Sequence, residues 1–421
     1  MALIVFWAAV ATIAYTYVGF PLLLIARGRL RPRPYRAGEI TPSVSVVIAA
    51  RNEVGAIGAR LENLLALDYP HDRFEVVIAS DGSDDGTDDV VGRFLRHRVQ
   101  LLSLPRCGKA SALNAAVAAA SGEIVVFSDA NSRYAPDALR ALVRPFVDDR
   151  VGGVAGNQRY ESQDDATGQA TGGQGGAHDD GAGIAAGERR YWGFDRMLKE
   201  AESRAGSTIS ATGAIYAIRR HLFRTVPEGV TDDFVTSTAV IAQGYRLVFA
   251  ADAIAFEPAA SKGDVEFGRK VRIMTRGLRG VFVMRELLNP RRHGFYALQL
   301  LSHKVLRRLM VFPLVAVVLV TPWLWRRGWI YRGATIAQAG VYGAGAAGIA
   351  LAAADRASAG RGKRRSRVLT LPAYFCLVNV AALRAAWNLL RGHRIDRWEP
   401  ARDARSDDSS STLSATHNHA Q

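Results

Sequence analysis

The chain has 421 residues and a formal net charge of +15, so it can hold a large domain with accessory segments and favours an anionic partner. Its two cysteines, Cys107 and Cys376, lie far apart in unlike contexts. They exclude a disulfide framework and a cysteine-ligated metal site, which is typical of a protein in a reducing compartment.

The chain begins with a stretch that predicts a membrane anchor. Residues 2–26 contain no charged side chain and are long enough to cross a bilayer. A cleaved signal peptide would have a basic start and a small-residue cleavage site, and neither is clear here, so we expect an uncleaved anchor. Arginines crowd the linker at 27–41 and place the next domain in the cytoplasm by the positive-inside rule. Membrane topology thus explains much of the charge, and we expect membrane lipids rather than nucleic acid as partners.

Residues 42–294 alternate buried apolar runs with helical patterns, which predicts an α/β domain with a doubly wound, mainly parallel sheet. The predicted strands are Ser43–Ala50, Phe74–Ala79, Val99–Leu104, Ile124–Phe127, Ile215–Ile218 and Tyr245–Phe249. The predicted helices are Ile57–Leu67, Ala110–Ala120, Trp192–Ala205 and one that opens at Thr231. Within this domain, residues 162–187 have almost no large apolar side chains, so we expect a disordered insertion there.

Residues 295–390 are predicted to form interfacial and transmembrane helices, and residues 391–421 a mostly disordered tail. Three apolar segments are expected, at Leu309–Trp325, Ile330–Ala354 and Val368–Leu390, with a basic cytoplasmic loop before the third. Four full spans would put the tail outside. If Trp398-Glu399-Pro400 belongs near the active site, one segment must re-enter or lie in the interface, and the third, which contains Pro372 and Arg384, is the candidate.

Acidic and polar residues follow the predicted strands or open the predicted helices: Glu53, Asp81, Asp129 with Asn131, and Asp232 with Asp233. Taken singly, each is explained by a turn or a helix cap. In a parallel sheet, however, the strand ends lie along one edge, where open α/β sheets bind ligands. A carboxylate cluster in a basic protein suits Mg²⁺ or Mn²⁺ that holds a diphosphate, because hard cations prefer oxygen ligands.

Three of these clusters carry a resemblance in order and spacing: Asp81-Gly82-Ser83, Asp129-Ala130-Asn131 and Thr231-Asp232-Asp233. Over about residues 42–280 the chain resembles a membrane-anchored family 2 glycosyltransferase of the GT-A fold. That family includes bacterial hyaluronan, cellulose and poly-N-acetylglucosamine synthases. The resemblance implies a hexosyltransferase in the plasma membrane, multi-pass, whose cytoplasmic domain takes a sugar from a UDP-sugar to a lipid-linked or polysaccharide acceptor.

The resemblance also implies residue roles. Asp129 and Asn131 would hold the metal ion and the diphosphate. Asp233 would be the general base beside Asp232, and Arg272 would face the diphosphate. The other residues would bind substrates: Ala50, Asn52 and Glu53 around the base, Asp81 at the uridine, Lys109 and Asn114 beside the nucleotide, Thr212 and Gly213 near the acceptor, and Arg269 in the last motif.

Inverting transfer suits these residue types, because one base must take the proton of the acceptor hydroxyl while cations stabilise the leaving diphosphate. Arg269 and Ile273 depart from the Gln and Trp of processive relatives, and Ile offers no flat surface for an acceptor sugar. A processive exopolysaccharide synthase stays open as an alternative. So does a membrane-bound nucleotidyltransferase, while the carboxylate set argues against a silent membrane scaffold. Because the third residue of the Asp129-Ala130-Asn131 motif is Asn, we expect the cation to bind loosely in the absence of the nucleotide-sugar donor.

Overall fold

The α/β domain is built on one mixed sheet in the computed structural model, which describes residues 1–161, 195–258, 266–357 and 367–393. In the described part of the chain, the sheet has eight strands in the order β3-β2-β1-β4-β7-β6-β8-β5. The strands are β1 (Val44–Ala50), β2 (Phe74–Asp81), β3 (Val99–Leu104), β4 (Ile124–Phe127), β5 (Arg133–Tyr134), β6 (Val151–Glu161), β7 (Tyr216–Arg219) and β8 (Arg246–Pro258). The predicted insertion at 162–187 lies outside the described residues.

The helices cover both faces of the sheet and extend beyond it at both ends of the chain. They are α1 (Ala2–Leu30, with a π-helical turn at Tyr15–Gly19), α2 (Val54–Leu65), α3 (Thr87–Gly92), α4 (Lys109–Ala119), α5 (Ala138–Val143), α6 (195–205), α7 (Asp232–Ala242), α8 (Glu266–Val283), α9 (Pro290–His293), α10 (Phe295–Leu300), α11 (Val311–Val320), α12 (Trp329–Ala357) and α13 (Arg367–Leu390). Short 3₁₀ turns lie at His71–Arg73, Arg144–Val147, Arg220–Leu222, Arg285–Leu288 and Pro322–Arg327.

The mainly parallel sheet expected from the sequence is confirmed, because four of the seven strand pairs are parallel. All residues of β1 are buried, as an apolar strand covered on both faces requires. The sequence missed β6, which pairs antiparallel with β7 and parallel with β8. Its glycines weaken the strand pattern, yet packing requires them: a Cβ on Gly152 would lie 2.6 Å from Leu222 and one on Gly156 2.7 Å from Ile215.

The chain from residue 295 to residue 331 runs along α1 in the opposite direction. Three contacts mark this path from one end of α1 to the other: Arg27 with Phe295 (4.3 Å, guanidinium carbon to ring centroid), Tyr15 with Ser302 (2.8 Å between hydroxyl oxygens), and Trp7 with Tyr331 (3.2 Å, indole nitrogen to hydroxyl). Near its C-terminal end α1 also packs on the α/β domain, where a Cβ on Gly28 would lie 3.1 Å from the Ala201 carbonyl oxygen. The anchor is therefore part of the folded body.

Three helices in the described residues are long and apolar enough to cross a membrane, over Ala2–Leu30, Trp329–Leu351 and Leu369–Leu390. The apolar segment expected at Leu309–Trp325 is an α-helix only over the ten residues of α11, which is about 15 Å, or half of a hydrocarbon core. By helix length, α11 is the short apolar segment, while Leu369–Leu390 is long enough to span, and which segment re-enters or lies in the interface stays a prediction. Residues 398–400 lie outside the described part of the chain.

Two glycines let α12 and α13 pack closely. A Cβ on Gly345 would lie 2.5 Å from Cys376 Sγ, and one on Gly348 would lie 2.7 Å from the Leu369 carbonyl oxygen. Small residues of this kind bring backbones together where membrane helices meet.

Replacing Gly348 by Leu should force α12 and α13 apart and cost about 1–3 kcal/mol of stability, the usual range for overpacking. The measurement is the melting temperature of the purified protein in detergent. Gly343→Leu is the matched control on the same helix, because no atom lies within 4 Å of a Cβ built there. Equal losses in both variants would show that the close contact is not the cause.

Candidate active site

The ammonium group of Lys109 joins two carboxylates from distant parts of the chain. Nζ lies 2.9 Å from Asp129 Oδ1 and 3.4 Å from Asp232 Oδ2. Lys109 begins α4, Asp129 follows β4 and Asp232 begins α7, so the three meet at the carboxyl edge of the parallel strands. Burial alone would lower the pKa of Lys109, but Asp129 and Asp232 raise it more, and the amine stays protonated.

The Asp129 carboxylate packs against Gly213, and the space between them is too small for a side chain. A Cβ on Gly213 would lie 2.8 Å from Asp129 Oδ2, so any larger residue would displace the carboxylate. The residue before it, Ser128, accepts a hydrogen bond from the buried Arg60 at 2.7 Å and donates to the Ala214 carbonyl at 3.2 Å. These contacts fix the backbone on both sides of the carboxylate. Arg60 could not be singled out from the sequence, because its role depends on a contact with a residue 68 positions away.

Asp81 organises the loop that leads into Lys109. Its carboxylate is buried, and Oδ1 accepts the backbone N–H groups of Cys107 at 2.6 Å and Gly108 at 2.9 Å. Arg51 Nη1 donates to the Asp81 carbonyl oxygen at 3.1 Å. The observed contacts thus set the start of α4, and a contact with uridine remains a prediction.

The segment after β1 is tied to the loop after β2. Asn52 has a left-handed φ of 50°, which Asn tolerates better than most residues. Its amide donates to Asp84 Oδ1 at 2.8 Å and accepts the Asp84 N–H at 3.1 Å. Burial, together with the charge of Asp129, raises the pKa of Glu53 to about 7, so this carboxyl group also faces the site. Ala50 is fully buried at the end of β1.

Asp233 has the electrostatic surroundings of a base. It lies in the first turn of α7, where Oδ1 accepts the Phe234 N–H at 2.7 Å. Burial and the neighbouring charge of Asp232 raise its pKa to about 6, while Lys304 and Lys109 oppose that rise. A carboxylate with a pKa in this range can both accept a proton near neutral pH and hold it.

Glu257 is a further carboxyl group at the site that sequence reasoning missed. It accepts a hydrogen bond from Ser132 at 3.3 Å, and burial followed by the charge of Asp129 raises its pKa to about 7. The predicted strand ended at Phe249, whereas β8 continues to Pro258 and carries Glu257 back to the site. A prediction of the full length of β8 would have placed Glu257 near the site.

Asp129 and Asn131 do not make a preformed metal cage. The residues that the structure describes contain no group of three or more His, Cys, Asp or Glu side chains arranged for a metal ion. Asn131 is exposed, and one oxygen of Asp129 is taken by Lys109. The partly exposed carboxylate fits a hard cation only if a bound diphosphate supplies most of the ligands.

A family model matches the domain that carries this site. Residues 45–226 match the model described as Glycosyl transferase family 2. They form a family 2 glycosyltransferase domain. This range holds the strand ends at Asp81 and Asp129, the helix that begins at Lys109, and the glycine at Gly213.

Curated relatives of the glycosyltransferase domain include enzymes that make glycolipids and polysaccharides. The chain is 35% identical over 132 residues to a beta-monoglucosyldiacylglycerol synthase of Trichormus variabilis, covering 30% of this chain and 28% of that protein. It is 31% identical over 129 residues to a poly-beta-1,6-N-acetyl-D-glucosamine synthase of Staphylococcus epidermidis, covering 30% of this chain and 31% of that protein. The matches thus span less than a third of these relatives.

A solved structure extends the likeness beyond the matched domain. A mannosyltransferase of Pyrobaculum calidifontis, solved with GDP-Man and Mn²⁺, aligns with a TM-score of 0.64 over 92% of this chain and 99% of that one, at 24% identity. This likeness shows the fold, which is the GT-A type that the sequence predicted.

Several predicted residues of the glycosyltransferase lie away from the Lys109 bridge or serve other contacts. The Asn114 amide exchanges hydrogen bonds with both backbone groups of Val226, at 3.0 and 2.9 Å. Thr212 Oγ1 is buried without a hydrogen-bond partner among the described residues. Arg269 is exposed on α8, and Arg272 is partly buried one turn further along that helix.

Proposed function

We propose that the protein is an inverting glycosyltransferase that moves a sugar from a UDP-sugar to a lipid-linked or glycan acceptor at the cytoplasmic face of the plasma membrane. The observation that carries this proposal is the half-buried Asp233, with a pKa of about 6, next in the chain to Asp232 of the bridge from Lys109 to Asp129 and Asp232. The family match supports the chemistry, and the relatives named for glycolipid and polysaccharide synthesis support the acceptor classes.

In the proposed reaction, the acceptor hydroxyl oxygen attacks the anomeric carbon of the donor sugar. The bond from that carbon to the diphosphate oxygen breaks, the proton of the hydroxyl passes to the Asp233 carboxylate, and the nucleotide leaves with the bonding electrons. Lys109 and Arg272 are the cations that would stabilise the leaving diphosphate, the latter through its planar guanidinium group.

Asp129, together with Asn131, would hold a Mg²⁺ or Mn²⁺ ion, which when bound neutralises charge on the diphosphate. The similar fold solved with Mn²⁺ supports this choice. Because Lys109 pairs with Asp129 at 2.9 Å, the protein would have little affinity for the free cation. Tight binding of Mn²⁺ to nucleotide-free protein would contradict this view.

The proposed orientation places the α/β domain in the cytoplasm. Arg27, Arg29, Arg31, Arg33 and Arg36 follow the apolar part of α1, and cytoplasmic segments are rich in such residues. With three candidate spans and the short α11, the protein would be multi-pass.

A donor panel tests the proposed function directly. Purified protein in detergent with Mn²⁺ should release UDP from at least one of a set of UDP-sugars when membrane lipids are supplied. Release of pyrophosphate from a nucleoside triphosphate and a sugar phosphate would instead favour the nucleotidyltransferase alternative. If no nucleotide is released from any donor, the proposal fails.

We expect kcat/KM to fall with a slope of one proton below about pH 6, because the base must be deprotonated and the pKa of Asp233 is raised to about 6. Since the charge of Asp232 raises that pKa, Asp232→Asn should move the acid limb to lower pH. The measurement is the pH profile of UDP release for both proteins. If the acid limb of the pH profile lies at the same pH in both proteins, Asp233 does not control it.

The similarity to the poly-beta-1,6-N-acetyl-D-glucosamine synthase of Staphylococcus epidermidis supports the alternative of processive synthesis. Against it, Ile273 is exposed on α8 where processive relatives are expected to carry Trp, and it offers no stacking surface. We therefore expect addition of one or a few sugars. Product length on a sizing column checks this expectation.

A further inference from the structure

Two cations that the reaction does not use lie one helical turn apart beside Asp233. Lys304 belongs to the π-helical turn Leu301–Leu306 after α10, and Arg308 follows that turn. Lys304 Nζ lies 5.8 Å from the ring centroid of Phe234, the residue next to Asp233. Asp233 acts electrostatically on both cations, so they face the candidate base.

Neither cation is well compensated by the described residues. Arg308 Nη1 is buried and has no hydrogen-bond partner there. Burial, followed by the charge of Arg308, lowers the pKa of Lys304 to about 8, although the charges of Asp233 and Glu202 oppose that shift. The other nearby carboxylate, Glu202, is occupied by His303 at 2.7 Å and by Thr208 at 3.0 Å. Asp233 is thus shared by two cations, and a buried guanidinium nitrogen without an acceptor is costly, so this pair is suited to receive an anion.

The neighbouring helix leaves room for Arg308. Its guanidinium group passes so close to Gly277 on α8 that any side chain at that position would overlap it. Gly277 is buried, and the preceding turn of α8 contains the buried Thr275. The position of Arg308 is therefore defined by packing rather than left to solvent.

Lys304 and Arg308 lie just before the apolar helix α11. Three residues after Arg308, α11 starts, and all ten of its residues are apolar. Ser302, in the turn that carries Lys304, contacts Tyr15 in the π-helical turn of α1. Lys and Arg at the boundary between a polar domain and an apolar helix lie at the level of lipid headgroups and interact with their phosphates.

We propose that Lys304 and Arg308 form a binding site for the phosphate group of an acceptor lipid, held at the membrane boundary with a free headgroup hydroxyl next to Asp233. This inference rests on the proposed function and names its acceptor class, a glycerophospholipid with a hydroxyl-bearing headgroup. A neutral lipid such as diacylglycerol would leave Asp233 shared between both cations and Arg308 Nη1 without an acceptor. A lipid phosphate that itself attacked the sugar would arrive ionised and would not need the base.

Phosphatidylglycerol and diacylglycerol, each in phosphatidylcholine nanodiscs at equal mole fraction, distinguish these acceptors. We expect phosphatidylglycerol to be the better acceptor for the full-length protein. Lys304→Met and Arg308→Met should each raise its KM by about 10- to 100-fold, the effect of losing a hydrogen bond to a charged group. Arg308→Lys should recover part of the loss. Arg307→Met removes an exposed charge from the same turn and is the matched control.

The donor's diphosphate is the other phosphate that could occupy this pair. The proposal requires that the affinity for UDP, measured without lipid, stays within about twofold of the original in both variants. Equal losses in UDP affinity and lipid KM would assign the pair to the donor and overturn the proposal. So would equal use of diacylglycerol and phosphatidylglycerol.

A readout without turnover separates this inference from the proposed function. Binding of phosphatidylglycerol to the donor-free protein, measured by native mass spectrometry, should exceed binding of phosphatidylcholine and should fall in the Lys304→Met, Arg308→Met double variant. If no donor is used but this preference is found, only the proposed function fails. If transfer occurs but the preference is absent, the lipid site fails alone.

Discussion

Replacing Asp233 by Asn is expected to lower the turnover of sugar transfer by about 10³-fold, within the usual contribution of a positioned general base. The amide cannot accept the proton of the attacking hydroxyl, yet it has nearly the same shape and can still accept the Phe234 N–H. UDP affinity should therefore change little. The measurements are UDP release under saturating donor and UDP binding by calorimetry.

Asp137→Asn is the control for this change. Asp137 is exposed, and it precedes α5 without making a side-chain capping hydrogen bond. It should keep full activity. If Asp233→Asn turned over at the original rate, Asp233 would be removed as the base, and Asp232 would have to be tested in its place.

Replacing Asp129 by Asn should lower turnover by roughly 10²-fold or more and should raise the Mn²⁺ concentration needed for half-maximal activity. The change removes the anionic oxygen that lies 2.9 Å from Lys109, and it leaves the motif without a charged ligand for the cation. Initial rates at a series of Mn²⁺ concentrations, with donor held constant, give both quantities.

Asp149→Asn is the matching control, because this exposed carboxylate follows the buried Asp148 on a turn that precedes β6. An Asp129→Asn variant with an unchanged Mn²⁺ requirement would mean that the carboxylate does not contribute to cation binding. Its role would then be limited to holding Lys109.

The first half of the sheet could be predicted because its strands are continuous runs of apolar, often β-branched residues. β1 and β4 are buried on both faces and leave little ambiguity. The second half was harder to predict. Strand β6 contains Gly152, Gly153 and Gly156, so it shows no clear alternation of apolar and polar side chains. Its position depends on space between neighbours, which a single sequence does not reveal.

The candidate site likewise contains residues that could be placed from the sequence and residues that could not. Asp129 and Asp232 could be placed together because each stands at a strand end or a helix start of a repeating α/β pattern, whereas Lys109 was expected there only from the family resemblance. Lys304 and Arg308 could not, since a basic stretch before an apolar helix is typical of any interfacial segment. Only the packing of that helix against Phe234 brings these cations to the base.

The pairing of α1 with residues 295–331 bears on how the enzyme can be prepared. Tyr15 contacts the turn that carries Lys304, and the fully buried Leu24 and Phe20 pack with Leu198 of α6. Deleting the anchor to obtain a detergent-free protein would expose this apolar surface and release one side of the helix beside Asp233. We therefore expect sugar transfer to require the first thirty residues, so that solubility has to come from a lipid or detergent belt rather than from truncation.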